Sequence, residues 1–229
     1  MQHGAQKKRP GEDMPALWII GTGGHARVLL DLARDCGHPV QGFIDPAPNG
    51  ASARASASEP VAPFGTDLAV LDGLGALREL HAPKVVIAIG GNALRRETTA
   101  EATALGAKAV TLIHPSARVE PSATIGAGAQ VCVGAIVNAA ATIARGALIN
   151  SGAIIEHECE IGEFAHICPG VAMGGRVRVG AGAMIGIGSS VIQGVTIGAG
   201  ATVGAGAVVL GDVEAGETVV GVPARVVGQ

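Results

Sequence analysis

The chain has 229 residues, a formal net charge of -3 and a pI near 6.1, so it carries no basic surface of the kind that nucleic acid needs. Aromatic residues make up 2% and there is no Tyr, so any core must be built from aliphatic side chains. No apolar run approaches the roughly 18 residues of a membrane span and the start lacks an apolar secretory core, which sets the expectation of a cytoplasmic protein with no membrane or nucleic-acid partner.

Residues 1–13, with Lys7, Lys8 and Arg9 among polar neighbours, are expected to form a disordered leader. Residues 17–20 (LWII) read as a buried strand, followed by a glycine loop, an amphipathic helix over 25–35 and a second strand over 40–45, which is a βαβ opening. An Ala-, Ser- and Pro-rich stretch over 46–60 reads as a flexible excursion. Beyond it the pattern predicts a helix over 68–80, a strand over 85–89 and a helix over 93–105. A Rossmann-like α/β domain is thus expected over 14–110. Four scattered cysteines give no disulfide framework.

From Ile113 to Val209 every sixth residue is aliphatic, seventeen in succession, and a small or β-branched residue follows each by four positions. Neither a 3.6-residue helix nor a period-2 hairpin sheet sustains that rule. A solenoid does, because each short strand and turn sends one large and one small side chain to a central axis. Three hexads per triangular coil give roughly five to six coils over 111–229, with 216–229 forming a cap or tail. Glycine often stands directly after the aliphatic residue, and the frequent glycines of the repeat are expected to supply positive φ at tight corners.

Three places carry chemistry. Gly21-Thr22-Gly23-Gly24-His25-Ala26 fits G-x-G-x-x-G/A between strand and helix, with Asp45 at the end of the next strand. Glycines let any diphosphate approach a helix N-terminus, so a nicotinamide cofactor, a nucleotide-diphosphate ligand and a plain tight turn all fit. The missing second mononucleotide half argues against the first. Gly90, Gly91 and Asn92, after the third apolar strand, form a second rim of the same crevice.

Glu156-His157-Glu158 breaks an Ala/Gly/Ser-rich surface. Ile155 and Cys159 take the inward classes, which leaves His157 and Glu158 at a corner or outer face. A neutral imidazole held by a carboxylate is a general base; a solvated corner is the other reading. His157, Cys159, His166 and Cys168 are all zinc-ligand types. Their hexad phases diverge, with Cys159 inward, so no metal site is expected.

IIGTGGHA, GFID, AIGGN with Arg95 and Arg96, LIHPSA, INSGAIIEHECEIGEFAHICPG and GVPAR together resemble the bacterial sugar O- and N-acetyltransferases of the hexapeptide-repeat acyltransferase superfamily, over about residues 16–227. The resemblance implies a left-handed parallel β-helix, a homotrimer, and acetyl-CoA bound as co-substrate between neighbouring solenoids. It implies His157 as base, Glu158 as the carboxylate that raises its basicity, and His166 at the acetyl group. Gly175 would offer an N–H to the thioester oxygen, Ile187 and Ala205 would line the pantetheine groove, and Arg225 would help hold CoA. Gly23, Gly24, His25, Asp45, Gly90 and Asn92 would hold a nucleotide-sugar. The reaction expected is acetylation of the amine of a nucleotide-linked amino-sugar. Sugar O-acetylation, a metal-dependent hydratase and a non-catalytic nucleotide-sugar sensor are the alternatives.

Overall fold

The computed structural model describes residues 14–46 and 63–227; the expected leader and nearly all of the 46–60 stretch lie outside them. Five parallel strands, β1 (Leu17–Ile20), β2 (Val40–Asp45), β3 (Ala69–Asp72), β4 (Lys84–Ile87) and β5 (Lys108–Ala109), form a sheet in the order β3-β2-β1-β4-β5. β1 is buried on both faces, with Leu17 and Ile19 in one apolar cluster and Trp18 and Ile20 in another, which is why it reads as an unbroken apolar run. α1 (Gly24–Asp35) and α2 (Asn92–Ala104) follow β1 and β4. Those two strands are neighbours from which the chain crosses in opposite directions, so the loops after them open into one crevice at the carboxyl ends of the strands.

The helix expected over 68–80 is not formed. Ala69–Asp72 pairs with β2 as the sheet's edge strand, and Leu74–Glu79 is a 3₁₀ helix. Gly73, at φ 71°, separates the two and Gly75 lies within the second, so there is no uninterrupted helical turn to propagate.

From Leu112 the chain winds as a triangular prism of two-residue parallel strands, each paired with the strand 18 residues on, as Ile155 is with Val137 and Met173. The aliphatic residue of each hexad points inward with the small residue four later, and together they form one continuous core from Ala117 to Val219. Each buried aliphatic contributes about 1.5–3 kcal/mol. The first face of the prism carries Leu112–Ile113, Gln130–Val131, Leu148–Ile149, His166–Ile167 and Met184–Ile185 in adjacent coils. The strand Thr218–Val220 extends this face and Arg225–Val226 returns antiparallel on it, closing the sheet edge.

The glycines divide into two kinds. Those directly after the aliphatic residue, such as Gly162 and Gly180, do not take positive φ; a Cβ there would meet the backbone of the next coil. Positive φ falls two residues later, at Gly128, Gly146, Gly182 and their equivalents.

The α/β domain rests on the first face. Leu112, Cys132 and Leu148 pack with Leu17, Leu29 and Phe43. α2 runs along the prism edge between the third and first faces: Asn92 Nδ2 donates to the Gly182 and Ala183 carbonyls at 2.9 and 3.1 Å, and Arg95 reaches the two coils below. A helical turn of about 5.4 Å nearly matches a coil spacing of about 4.8 Å, so residues three or four apart on α2 meet successive coils. Arg95 is 1% exposed and donates to the carbonyls of Gly146, Ile89, Gly90, Phe164 and Ala165 and to Asn92 Oδ1. Desolvation lowers its pKa to about 10, which leaves it charged at neutral pH.

Replacing Arg95 by Ala strands buried carbonyls on both sides of this junction, and a loss on the order of 3 kcal/mol is expected. Trp18, the chain's one tryptophan, lies in β1 and reports unfolding of the α/β domain by fluorescence. In the variant that signal should be lost at lower denaturant than the circular dichroism of the solenoid; coincident transitions at wild-type stability would contradict the role.

Candidate active site

His157 stands on the edge between the second and third faces, in the corner that follows Ile154–Ile155. Its side chain is half exposed, and Nδ1 lies 3.0 Å from Glu158 Oε2. A carboxylate only accepts, so Nδ1 carries the proton and the lone pair sits on Nε2. The His157 N–H donates to Glu156 Oε2 at 3.3 Å, so both flanking carboxylates steady the residue.

Gly175 is one coil on in the same column. A Cβ there would come within 2.5 Å of His157 Nε2 and Cε1, so the imidazole fits only against glycine. The Gly175 N–H makes no backbone hydrogen bond among the described residues, while its carbonyl accepts from Gly194. A basic nitrogen and an unengaged donor thus lie side by side on an open edge.

Glu158 occupies a corner position that is glycine in most coils, and it takes φ 59°. Ala140, Phe164 and Arg176 are its counterparts elsewhere. A non-glycine residue in that region costs on the order of 1 kcal/mol or more, so a glutamate kept there is held for something other than the turn. Phe164 is likewise explained: its ring fills the space over Gly146, lies under the guanidinium groups of Arg96 and Arg145, and its carbonyl accepts from Arg95.

The remaining predicted site residues fall elsewhere, in the α/β domain and on other parts of the prism. Gly23, Gly24, His25, Gly90 and Asn92 surround the crevice of the α/β domain; a Cβ at Gly23, Gly24 or Gly90 would meet nothing within 4 Å, so the backbone there is open. Asp45 is 2% exposed and accepts from Thr22 Oγ1 at 3.2 Å, which places it beneath the loop instead of at an open rim. His166 lies on the first face where the domain's cover ends. Desolvation, the nearby charge of Arg95 and then His25 lower its pKa to about 4, against a smaller effect of the Gly90 backbone. His25 is lowered as well, by burial first. Ile187, 60% exposed, and Ala205 share the edge between first and second faces, where the Gly206 N–H donates to the Ile187 carbonyl. Arg225 is exposed and donates to the Ala224 carbonyl. Cys159 is buried in the core, and the described residues contain no group of three or more His, Cys, Asp or Glu that could hold a metal ion.

Sequence reasoning passed over Gln130 and Asn150, which hold His25 and His166. The available signal was a polar residue, Gln130, between Leu112 and Leu148 in one outward column of the repeat.

Residues 16–102 match the PglD N-terminal domain family, and residues 176–211 match the bacterial transferase hexapeptide family of six repeats. PerB from Caulobacter crescentus, solved with CoA and GDP-perosamine, is 38% identical over 93% of this chain and 97% of that one, with a TM-score of 0.83, and a mutant GDP-perosamine N-acetyltransferase from the same organism has the same identity and coverage, with a TM-score of 0.84. The acetyltransferase domain of PglB from Neisseria gonorrhoeae, solved with acetyl coenzyme A, is 36% identical over 93% and 98%, with a TM-score of 0.81. WeeI from Acinetobacter baumannii is 26% identical over 93% and 100%, with a TM-score of 0.79. The architecture is therefore a small Rossmann-like domain followed by a left-handed parallel β-helix of hexapeptide repeats, that of an acetyl-CoA-dependent acyltransferase. Within that class, the chain belongs to the family of bacterial sugar N-acetyltransferases.

Gly175→Ala should push the His157 ring off Glu158, which a crystal structure of the variant would reveal; an unmoved ring would contradict the packing. His166 supplies a pH signature. It stays neutral in the folded chain, whereas the unfolded chain takes up a proton below about 6.5, so its stabilising contribution is present above pH 6.5 and lost as pH falls towards about 4. His166→Gln should flatten the pH dependence of the denaturation midpoint between those limits; a curve parallel to wild type would contradict it.

Proposed function

We propose that this chain moves the acetyl group of acetyl-CoA to the amine of a nucleotide-linked amino-sugar, with His157 as general base. A GDP-linked amino-sugar is the first candidate, because the Caulobacter enzyme, 38% identical, holds GDP-perosamine. The observation that carries the reading is the His157–Glu158 pair with Gly175 against its basic nitrogen.

The uncharged amine adds to the thioester carbon as its proton passes to His157 Nε2. Glu158 accepts from Nδ1–H throughout and stabilises the imidazolium that forms. Negative charge on the thioester oxygen is met by the Gly175 N–H, an effect of about 2.7–4 kcal/mol for a well-placed donor. The tetrahedral adduct then expels the sulfur, which leaves as the CoA thiol with the proton returned by His157. No covalent acyl-enzyme is formed.

The prism argues that two copies make one site. The α/β domain covers the first face, and His157 lies on the edge opposite that face, so the solenoid stands between a chain's own crevice and its own base. Ile187 and Ala205 lie on yet another edge. In a homotrimer packed side by side, the base edge of one protomer meets the crevice and pantetheine-lining edge of the next. The second face, with Ile136, Ile154 and Ala172 outward, suits such packing better than the third, which carries Thr142, Glu160 and Arg178.

His157→Ala should lower turnover by about 10²–10⁴-fold, measured by thiol release from acetyl-CoA with GDP-perosamine or a panel of UDP- and dTDP-linked amino-sugars, while CoA affinity stays near wild type. Unchanged turnover would remove His157 from its role.

A further inference from the structure

Each of the two crevice histidines is gripped by a solenoid amide whose orientation the hydrogen-bond network fixes. Gln130, 2% exposed, donates from Nε2 to the Ile87 carbonyl at 2.9 Å. Only the amide nitrogen can donate there, so Oε1 faces His25 Nε2 at 3.2 Å and that ring nitrogen must carry a proton. The lone pair of His25 is left on Nδ1.

Asn150 imposes the opposite state on His166. Its Oδ1 accepts from the Ser151 N–H at 2.8 Å, which turns Nδ2 towards His166 Nε2 at 3.1 Å. An amide nitrogen has no lone pair to offer, so Nε2 accepts and the proton resides on Nδ1. Nδ1 is buried and has no hydrogen-bond partner among the described residues. A buried donor left open is rare in folded proteins and marks a place kept for something else. The Gly90 backbone on the crevice rim raises the pKa of this ring, an effect smaller than burial and the Arg95 charge. The depressed pKa of both rings agrees with their being neutral.

We propose that Gln130 and Asn150 are positioning residues that lock opposite tautomers on His25 and His166, so that the crevice offers one acceptor, His25 Nδ1, and one donor, His166 Nδ1–H, to uncharged polar groups. The identity of those groups rests on the function proposed above. His25 takes a hydrogen bond from a hydroxyl or amine of the amino-sugar, and His166 gives one to an uncharged oxygen of the sugar or the acetyl group. Neither ring brings a charge to a phosphate, and the N–H groups of Arg95 are all engaged by carbonyls and Asn92.

The tautomers can be measured without any substrate. In full-length protein labelled with ¹⁵N-histidine at mildly alkaline pH, long-range ¹H–¹⁵N correlation should find His25 protonated on Nε2 and His166 on Nδ1, with His25→Gln and His166→Gln variants assigning the signals. Asn150→Asp places an obligate acceptor against His166 Nε2. The neighbouring Arg95 charge opposes an imidazolium, so the proton should move to Nε2 and turnover should fall by about 10²-fold, as for the loss of one preorganised donor. Asn150→Ala, which imposes neither state, should give a mixed signal and a smaller loss. The opposite tautomer on either histidine of the wild type, or a His166 proton unmoved in Asn150→Asp, overturns the proposal. If the tautomers hold and no amino-sugar is acetylated, the reading of function fails and the tautomer lock stands.

Discussion

Everything in this protein hangs on the stacking of coils 18 residues apart. One large and one small inward side chain per hexad set the prism's width, and parallel pairing fixes each residue directly beside its equivalent in the next coil. A chemical group placed at a corner is therefore held by backbone on both sides and recurs in columns. His157 and Gly175 are neighbours only because they are one coil apart, and the imidazole has room only because its column contains glycine at that level. The same ladder sets the docking of α2, whose turns nearly match the coil spacing, so that Asn92 and Arg95 fasten the α/β domain to the corners at Gly182, Phe164 and Gly146.

Much of this was legible in the residues. The hexad rule gives the solenoid, its inward classes and the outward placement of His157, because a strict period admits few geometries. β1 and β2 run over the residues expected of them, bounded by glycine and proline. The region after 63 was misread because Leu68, Leu71, Leu74 and Leu77 have helical spacing, and the glycines at 73 and 75 outweigh that pattern. Glycines do supply the positive φ of the tight corners, as at Gly128 and Gly146, while those directly after the aliphatic residues serve close approach between coils.

What remained hidden depends on contacts between distant parts of the chain. Arg95 looks like any polar helix residue until the corner carbonyls of two coils converge on it. Gln130 and Asn150 gain meaning only once the α/β domain covers the first face. A readable clue did exist in the corners. Glu158, Phe164 and Arg176 stand where the rhythm of the sequence asks for glycine, and the first two sit at the candidate base and at the domain junction. Exceptions to a repeat are better pointers to function than the repeat itself.

The prism also separates the base from the crevice on a single chain, and this is the basis for proposing a site shared between copies. Subunit complementation tests that most directly. Chains carrying His157→Ala, and chains whose crevice is blocked by Gly24→Trp, should each be inactive alone. Mixed in the proposed trimer, the intact base of a blocked chain faces the intact crevice of its neighbour at one of the three sites, so acetyl transfer should return to about one third of wild type per mixed assembly. Mixed assemblies as inactive as their parents would contradict the account.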